Sequence, residues 1–166
     1  MRYHFVYADK TKLQEILPDC FSILHSNMSI IAPSGNSYEE DFDIWYSAVF
    51  PAMQKDPRKI VLMYYEHTIV GYFQYYIVNC TMMMEEIQIT AEHQGSGLFR
   101  SFYVWLLNEL KDDIQFVEAY AHKSNVKSQS ILKYLGLEAC GEKTNDKHFH
   151  FKGKYTDLRN VIVKAN

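Results

Sequence analysis

The segment from Met84 to Leu110 constrains the chain more than any other, because it changes from a strand period to a helix period across two closely spaced glycines. In Met84-Glu85-Glu86-Ile87-Gln88-Ile89, alternation puts Glu85, Ile87 and Ile89 on one face and Glu86 and Gln88 on the other. From Leu98 onward the apolar residues Leu98, Phe99, Phe102, Tyr103, Leu106, Leu107 and Leu110 recur at three- and four-residue steps, which is a helix face. Between the two lies Gln94-Gly95-Ser96-Gly97. Glycines at such a seam accept positive φ and let several backbone N–H groups converge at a helix N-terminus. That geometry predicts an anion site, most simply for a phosphate or pyrophosphate, because unpaired donors and the helix dipole both favour negative charge. A plain strand–turn–helix junction without a ligand is the alternative. Two other glycine motifs are excluded: no lysine follows Gly97 as a Walker loop needs, and Arg100 stands where a dinucleotide fingerprint needs its third glycine.

Length and composition narrow the class. The 166 residues suit a single domain spanning 1–166, and 48% apolar content argues against disorder. A net charge of −3 offers no electrostatic footprint for nucleic acid. Apolar runs stay too short for a membrane span, and Met1–Tyr7 lacks the apolar core of a signal peptide. Cys20, Cys80 and Cys140 are odd in number and outside any C-x-x-C spacing, so they read as buried thiols of a cytoplasmic protein. Aromatic residues reach 15%, and the thirteen tyrosines read as core and surface rather than as a dedicated cleft.

Elsewhere the pattern predicts a strand over 2–8 and, capped by Asp9, a helix carrying Leu13, Ile16, Leu17, Cys20, Phe21 and Leu24 with a bend near Pro18. Asn27 to Asn36 reads as a loop. Ser37 with Glu40 forms a capping box for a second helix, with Pro51 bending or ending it and Asp56-Pro57 closing the segment. Ile60–Tyr65 and Ile69–Val78 read as buried strands joined at Glu66-His67, followed by a strand over Cys80–Thr90. Beyond the glycine turn and its helix come a strand over Ile114–Ala121, a helix from Asn125, and strands over Leu137–Gly141 and His148–Tyr155 with a turn at Asn145-Asp146. The predicted order is β-α-α-β-β-β-α-β-α-β-β, a mixed α/β architecture.

Gln94-x-x-Gly97-x-Phe99 resembles the Q/R-x-x-G-x-G/A signature of the GCN5-related N-acetyltransferases (GNAT family). Asn125-Val126-Lys127-Ser128, followed by Gly136-Leu137, is similar to that family's N-x-x-A/S…G-F segment. The resemblance implies a mostly antiparallel central sheet with helices on both faces and with its fourth and fifth strands splayed. It implies acetyl-CoA as cosubstrate, with the pyrophosphate on Gln94, Gly95, Ser96, Gly97, Leu98 and Phe99. The pantetheine arm would pair with the backbone of Ile87, Gln88 and Ile89. Asn125 would contact the arm or the splayed strands, with a helix N-cap as its alternative role. Phe99 departs from the family's small residue at that position.

For chemistry, the resemblance places a general base at Glu85, the alternative being a solvated strand carboxylate. Many members carry an acid tyrosine seven residues after the asparagine, where this chain has Leu132. Tyr134 lies about 200° further around the helix and would not reach the same place. Ser128, three residues after Asn125, matches the branch of N-terminal acetyltransferases, where it could hydrogen-bond the thiolate, or it is an ordinary helix residue. His122, His148 and His150 lack a carboxylate or cysteine at ligand spacing, so no metal is expected. The resulting expectation is acetyl transfer to a primary amine, small molecule or peptide, by direct attack without an acyl-enzyme. The competing one is a non-catalytic acyl-CoA-binding or interaction module. No membrane or nucleic-acid partner is expected, and a homodimer is left open. The acceptor cleft implied by the family falls at about Met28–Asn36 and Glu142–Lys147.

Overall fold

The structure, a computed structural model, describes residues 3–55, 57–110, 113–141 and 145–164. Seven strands form one sheet: β1 (Tyr3–Tyr7), β2 (Lys59–Tyr65), β3 (Thr68–Val78), β4 (Thr81–Ile89), β5 (Phe116–His122), β6 (Glu138–Cys140) and β7 (His148–Lys154). Their spatial order is β1-β2-β3-β4-β5-β7-β6. Among the described residues five α-helices accompany them: α1 (Leu13–Ile31), α2 (Tyr38–Gln54), α3 (Leu98–Glu109), α4 (Val126–Tyr134) and α5 (Tyr155–Lys164). The predicted order is correct as far as β7. By contact, the chain divides into two compact units, residues up to 75 with 86–99 and residues 76–85 with those from 100 onward.

In the first unit, β1 pairs antiparallel with β2, and β2 with β3 through the predicted Glu66-His67 turn, where Glu66 takes φ 56°. Ile60–Met63 and Val70–Tyr75 are buried without alternation, as expected of strands covered on both faces. Leu13, Leu17 and Cys20 of α1 pack with Met53 of α2 and with Ile60, Leu62 and Tyr72 in one apolar cluster. Full burial of a leucine such as Leu17 contributes about 1.5–3 kcal/mol. Ser37 and Glu40 make both bonds of the capping box, at 3.2 and 2.8 Å.

Helix α1 corrects the sequence reading. It runs through Pro18 to Ile31, so Asn27 to Ile31 are helical and the connection to α2 begins at Ala32. Leu24, Met28 and Ile31 carry the apolar stripe onward at helical spacing. Asn27 and the adjacent serines, turn formers by local preference, concealed it. Pro51 likewise neither ends α2 nor stops it before Gln54.

In the second unit, β4 and β5 pair in parallel over Thr81–Met84 and Phe116–Ala119. The ladder stops there, although β4 continues to Ile89 and β5 to His122. Strands β5, β7 and β6 pair antiparallel. The hairpin entering β4 turns at Asn79 and Cys80, both at positive φ, as a two-residue primed turn requires. Asn145 makes the last predicted turn by accepting the Lys147 and His148 amides. The sequence reading missed α5, which buries Tyr155, Leu158 and Ile162 at three- and four-residue spacing. Its first residue had been assigned to the preceding strand.

Gly71 sets the approach of β3 to β4. A Cβ there would lie 2.6 Å from the Gln88 carbonyl oxygen and 3.3 Å from Ile89 Cγ1. Gly71→Ala is therefore expected to push the two strands apart and cost about 1–3 kcal/mol in chemical denaturation, as overpacking does. An unchanged denaturation midpoint would contradict this spacing.

Candidate functional site

The turn between β4 and α3 has the geometry that the sequence predicts. Gly95 and Gly97 take φ 76° and 85°, values strained for any residue with a side chain. A Cβ at either would meet nothing within 4 Å, so conformation rather than crowding requires glycine. Gly95, Ser96 and Gly97 are exposed, and α3 starts at Leu98, whose amide donates to Ser96 Oγ at 3.4 Å.

Side chains of the first unit tie this turn down from two directions. Ser96 Oγ donates to the His93 carbonyl at 2.6 Å and receives a 3.1 Å bond from the Tyr3 hydroxyl of β1. Tyr3 also bonds His93 Nδ1 at 2.9 Å. On the other side, Gln94 Nε2 donates to the Ile89 carbonyl at 2.9 Å, and Asn27 Nδ2 of α1 donates to the same oxygen at 3.0 Å.

The adjoining end of β4 presents its groups in alternation. The Gln88 carbonyl points toward Gly71, and the Thr90 amide bonds the Val70 carbonyl at 2.9 Å, so even-numbered positions face β3. The backbone groups of Ile87 and Ile89 therefore face the opposite edge. Gln88 and Glu86 share a side-chain face, as expected, with Gln88 Nε2 donating to Glu86 Oε1 at 3.2 Å. On that face the Tyr72 phenol is held well above its usual pKa by burial and then by the Glu86 carboxylate. Burial, followed by Glu86 and Asp19, likewise raises the Cys20 thiol far above its usual value, so Cys20 is an inert thiol. All three cysteines are free, but only Cys20 is buried; Cys80 and Cys140 are half-buried, which corrects the expectation for those two.

The other candidates belong to the second unit. Glu85 is half-buried in β4. Asn125 is the N-cap of α4, its Oδ1 accepting the Ser128 amide at 2.9 Å, and Ser128 is half-buried in the first helical turn. His150 Nε2 meets Glu118 Oε2 at 3.0 Å, with Lys152 Nζ 3.3 Å from the other oxygen. His122 Nδ1 bonds Ser124 Oγ at 2.6 Å. Among the described residues no three His, Cys, Asp or Glu side chains gather as metal ligands, and no helix is long and apolar enough to cross a membrane.

No protein-family model matches this sequence, and no curated protein matches it. Solved structures do. The PaiA N-acetyltransferase of Thermoplasma acidophilum, in complex with coenzyme A, superposes with a TM-score of 0.75 at 14% identity, covering 93% of this chain and 100% of that one. A protein assigned to the GNAT family from Desulfovibrio desulfuricans gives 0.69 at 13% identity, covering 92% and 98%. The ribosomal-protein-S18-alanine N-acetyltransferase of Escherichia coli gives 0.62 at 15%, covering 92% and 93%. The chain has the GNAT fold.

Within this GNAT fold, the departures noted in the sequence have plain structural readings. Leu132 is 7% exposed and serves the core, whereas Tyr134 is 58% exposed and points to solvent. Phe99 is half-buried in the first turn of α3. Of the two predicted acceptor segments, Met28–Ile31 is helix, leaving the connection after Ile31. In the other, residues 142–144 lie outside the described residues, as does Asp56 of the predicted α2 stop. The sequence reading missed Asn27 and Tyr3 as anchors of the turn, since both act from elements distant in sequence.

Asn125→Ala is expected to lower stability by about 1 kcal/mol, the usual cost of losing such a cap, while Asn125→Ser retains most of it. Thermal unfolding of the pair tests this; equal melting temperatures for the parent and Asn125→Ala would contradict the cap.

Proposed function

We propose that residues 1–166 act as one acetyl-CoA-dependent N-acetyltransferase domain in the cytoplasm, transferring acetyl to a primary amine of a small molecule or peptide. The observation that carries this reading is the Gly95-Ser96-Gly97 turn at positive φ leading into the first amides of α3, on a GNAT fold. Gln94 through Phe99 hold the pyrophosphate, as backbone donors at a helix N-terminus hold phosphates elsewhere. The residues present fit such a group: Gln94 to Gly97 are exposed, and the turn is anchored independently by Tyr3 and Gln94. The pantetheine arm pairs with β4 along the edge facing away from β3. Two side-chain amides already engage the Ile89 carbonyl, so the arm's partners are the backbone groups of Ile87 and the Ile89 amide.

In the reaction, an amine nitrogen attacks the thioester carbonyl and expels the coenzyme A thiolate, with no acyl-enzyme. Glu85, directly or through water, takes the proton that the amine must lose. Ser128 hydrogen-bonds the departing thiolate, and Asn125 holds the first turn of α4 that presents it. The S18-alanine N-acetyltransferase among the similar structures supports a peptide N-terminus as one acceptor to test. The burial of Leu132 and the exposure of Tyr134 favour a second reading, a GNAT-fold module that binds acyl-CoA without turnover.

A thiol-release assay over a panel of amines, run alongside coenzyme A binding, separates the two. The enzyme reading expects release with at least one amine; binding with silence on every amine supports the module. For the active acceptor, Glu85→Gln should lower turnover about a hundredfold at neutral pH with coenzyme A affinity nearly unchanged. Much of that loss should return at high pH, where the amine is already deprotonated. Glu86→Gln, whose carboxylate is tied to Gln88 on the opposite face, should leave turnover near the parent's. The reverse pattern would remove Glu85 as the base.

A further inference from the structure

The side-chain amide of Asn27 lies outside every motif in the sequence, yet both its nitrogen and its oxygen are engaged beside the turn. Its Nδ2 donates both hydrogens, to Gln88 Oε1 at 2.9 Å and to the Ile89 carbonyl at 3.0 Å. Its Oδ1 accepts from Gln94 Nε2 at 3.4 Å, while that same nitrogen gives its shorter bond, 2.9 Å, to Ile89. Gln88 in turn passes a bond to Glu86. The directions are self-consistent in one orientation only: a carbonyl accepts and cannot donate, so both amide nitrogens must point at Ile89. Two donors fill both lone pairs of that oxygen, at the last residue of β4. Asn27 stands in the last turns of α1, so the helix is fastened to the strand end from which the turn departs.

We infer that Asn27 is a positioning residue that makes α1 part of the coenzyme site, by fixing Gln94 and thereby the amides of Gly95–Leu98. Without Asn27, Gln94 keeps its bond to Ile89 but loses the one to Asn27, and the turn gains freedom that an incoming pyrophosphate must remove. Ordering the turn in advance lowers the entropic cost of binding. The inference rests on the reading of this turn as the pyrophosphate site, but its structural half can be tested without ligand.

The experiment compares the parent with Asn27→Leu, Asn27→Asp, Gln94→Leu and the Asn27→Leu/Gln94→Leu pair, with Ser22→Ala on the exposed side of α1 as control. Calorimetry gives the coenzyme A Kd, backbone ¹⁵N relaxation gives order parameters for Gly95, Ser96 and Gly97, and thermal scans confirm folding. Asn27→Leu and Asn27→Asp should each weaken coenzyme A about tenfold, the scale of one or two lost hydrogen bonds. Order parameters in the turn should fall from the rigid range toward about 0.6. The double variant should bind no more weakly than the weaker single one, because both changes undo one constraint. Ser22→Ala should match the parent.

Unchanged affinity with only a lower melting temperature would reduce Asn27 to a stability role and overturn the inference. Additive losses in the double variant, or weaker binding with an unaltered turn, would overturn it as well. If the parent itself does not bind coenzyme A, the pyrophosphate reading falls. The order parameters then decide alone whether Asn27 fixes the turn.

Discussion

The end of β4 is held on three sides, and the turn takes its position from that hold. Gly71 admits the Gln88 carbonyl at a distance that any side chain would forbid. The Thr90 amide bonds the Val70 carbonyl, and the Ile89 carbonyl is filled by Asn27 and Gln94. A strand end fixed in this way gives the next residues a defined departure point. Gly95 and Gly97 then bend the backbone through conformations that side chains resist, and α3 begins at Leu98. The Tyr3–Ser96–His93 bonds hold the turn from the β1 side.

The economy of the site lies in where its polar groups are spent. The anion is proposed to bind backbone amides, which require no particular side chain. The side chains of Asn27, Gln88, Gln94 and Ser96 work behind them, bonding protein groups rather than waiting for ligand. Such preorganisation limits what binding must order. Glu85 is half-buried in the second unit, and its proposed role depends on chemistry rather than on architecture.

Much of this was legible in the sequence because it is written in local signals. The change of period at Gly95–Gly97, the Ser37–Glu40 box, the Glu66-His67 and Asn145-Asp146 turns and the even–odd division of Glu86 and Gln88 from their neighbours depend only on nearby residues. Asn27 was misplaced because its local preference for turns opposes the helix that tertiary packing imposes through Leu24, Met28 and Ile31. Helix α5 was missed because its first residue, Tyr155, follows β7 without a break or a capping residue. Gly71 carried no signal at all, since its necessity lies in a carbonyl seventeen residues downstream in the chain. Contacts of that kind become visible only in the folded molecule.

The central claim is that the Gly95–Gly97 turn binds the pyrophosphate of coenzyme A, and calorimetry of Gly97→Val against the parent tests it most directly. Gly35, in the connection between α1 and α2, takes φ 86° with equally open surroundings, so Gly35→Val imposes the same backbone strain outside the proposed pyrophosphate turn. The account predicts that Gly97→Val weakens coenzyme A roughly a hundredfold, about 2–3 kcal/mol, while Gly35→Val loses stability but keeps the parent's affinity. Parent-like binding of coenzyme A by a folded Gly97→Val would contradict it.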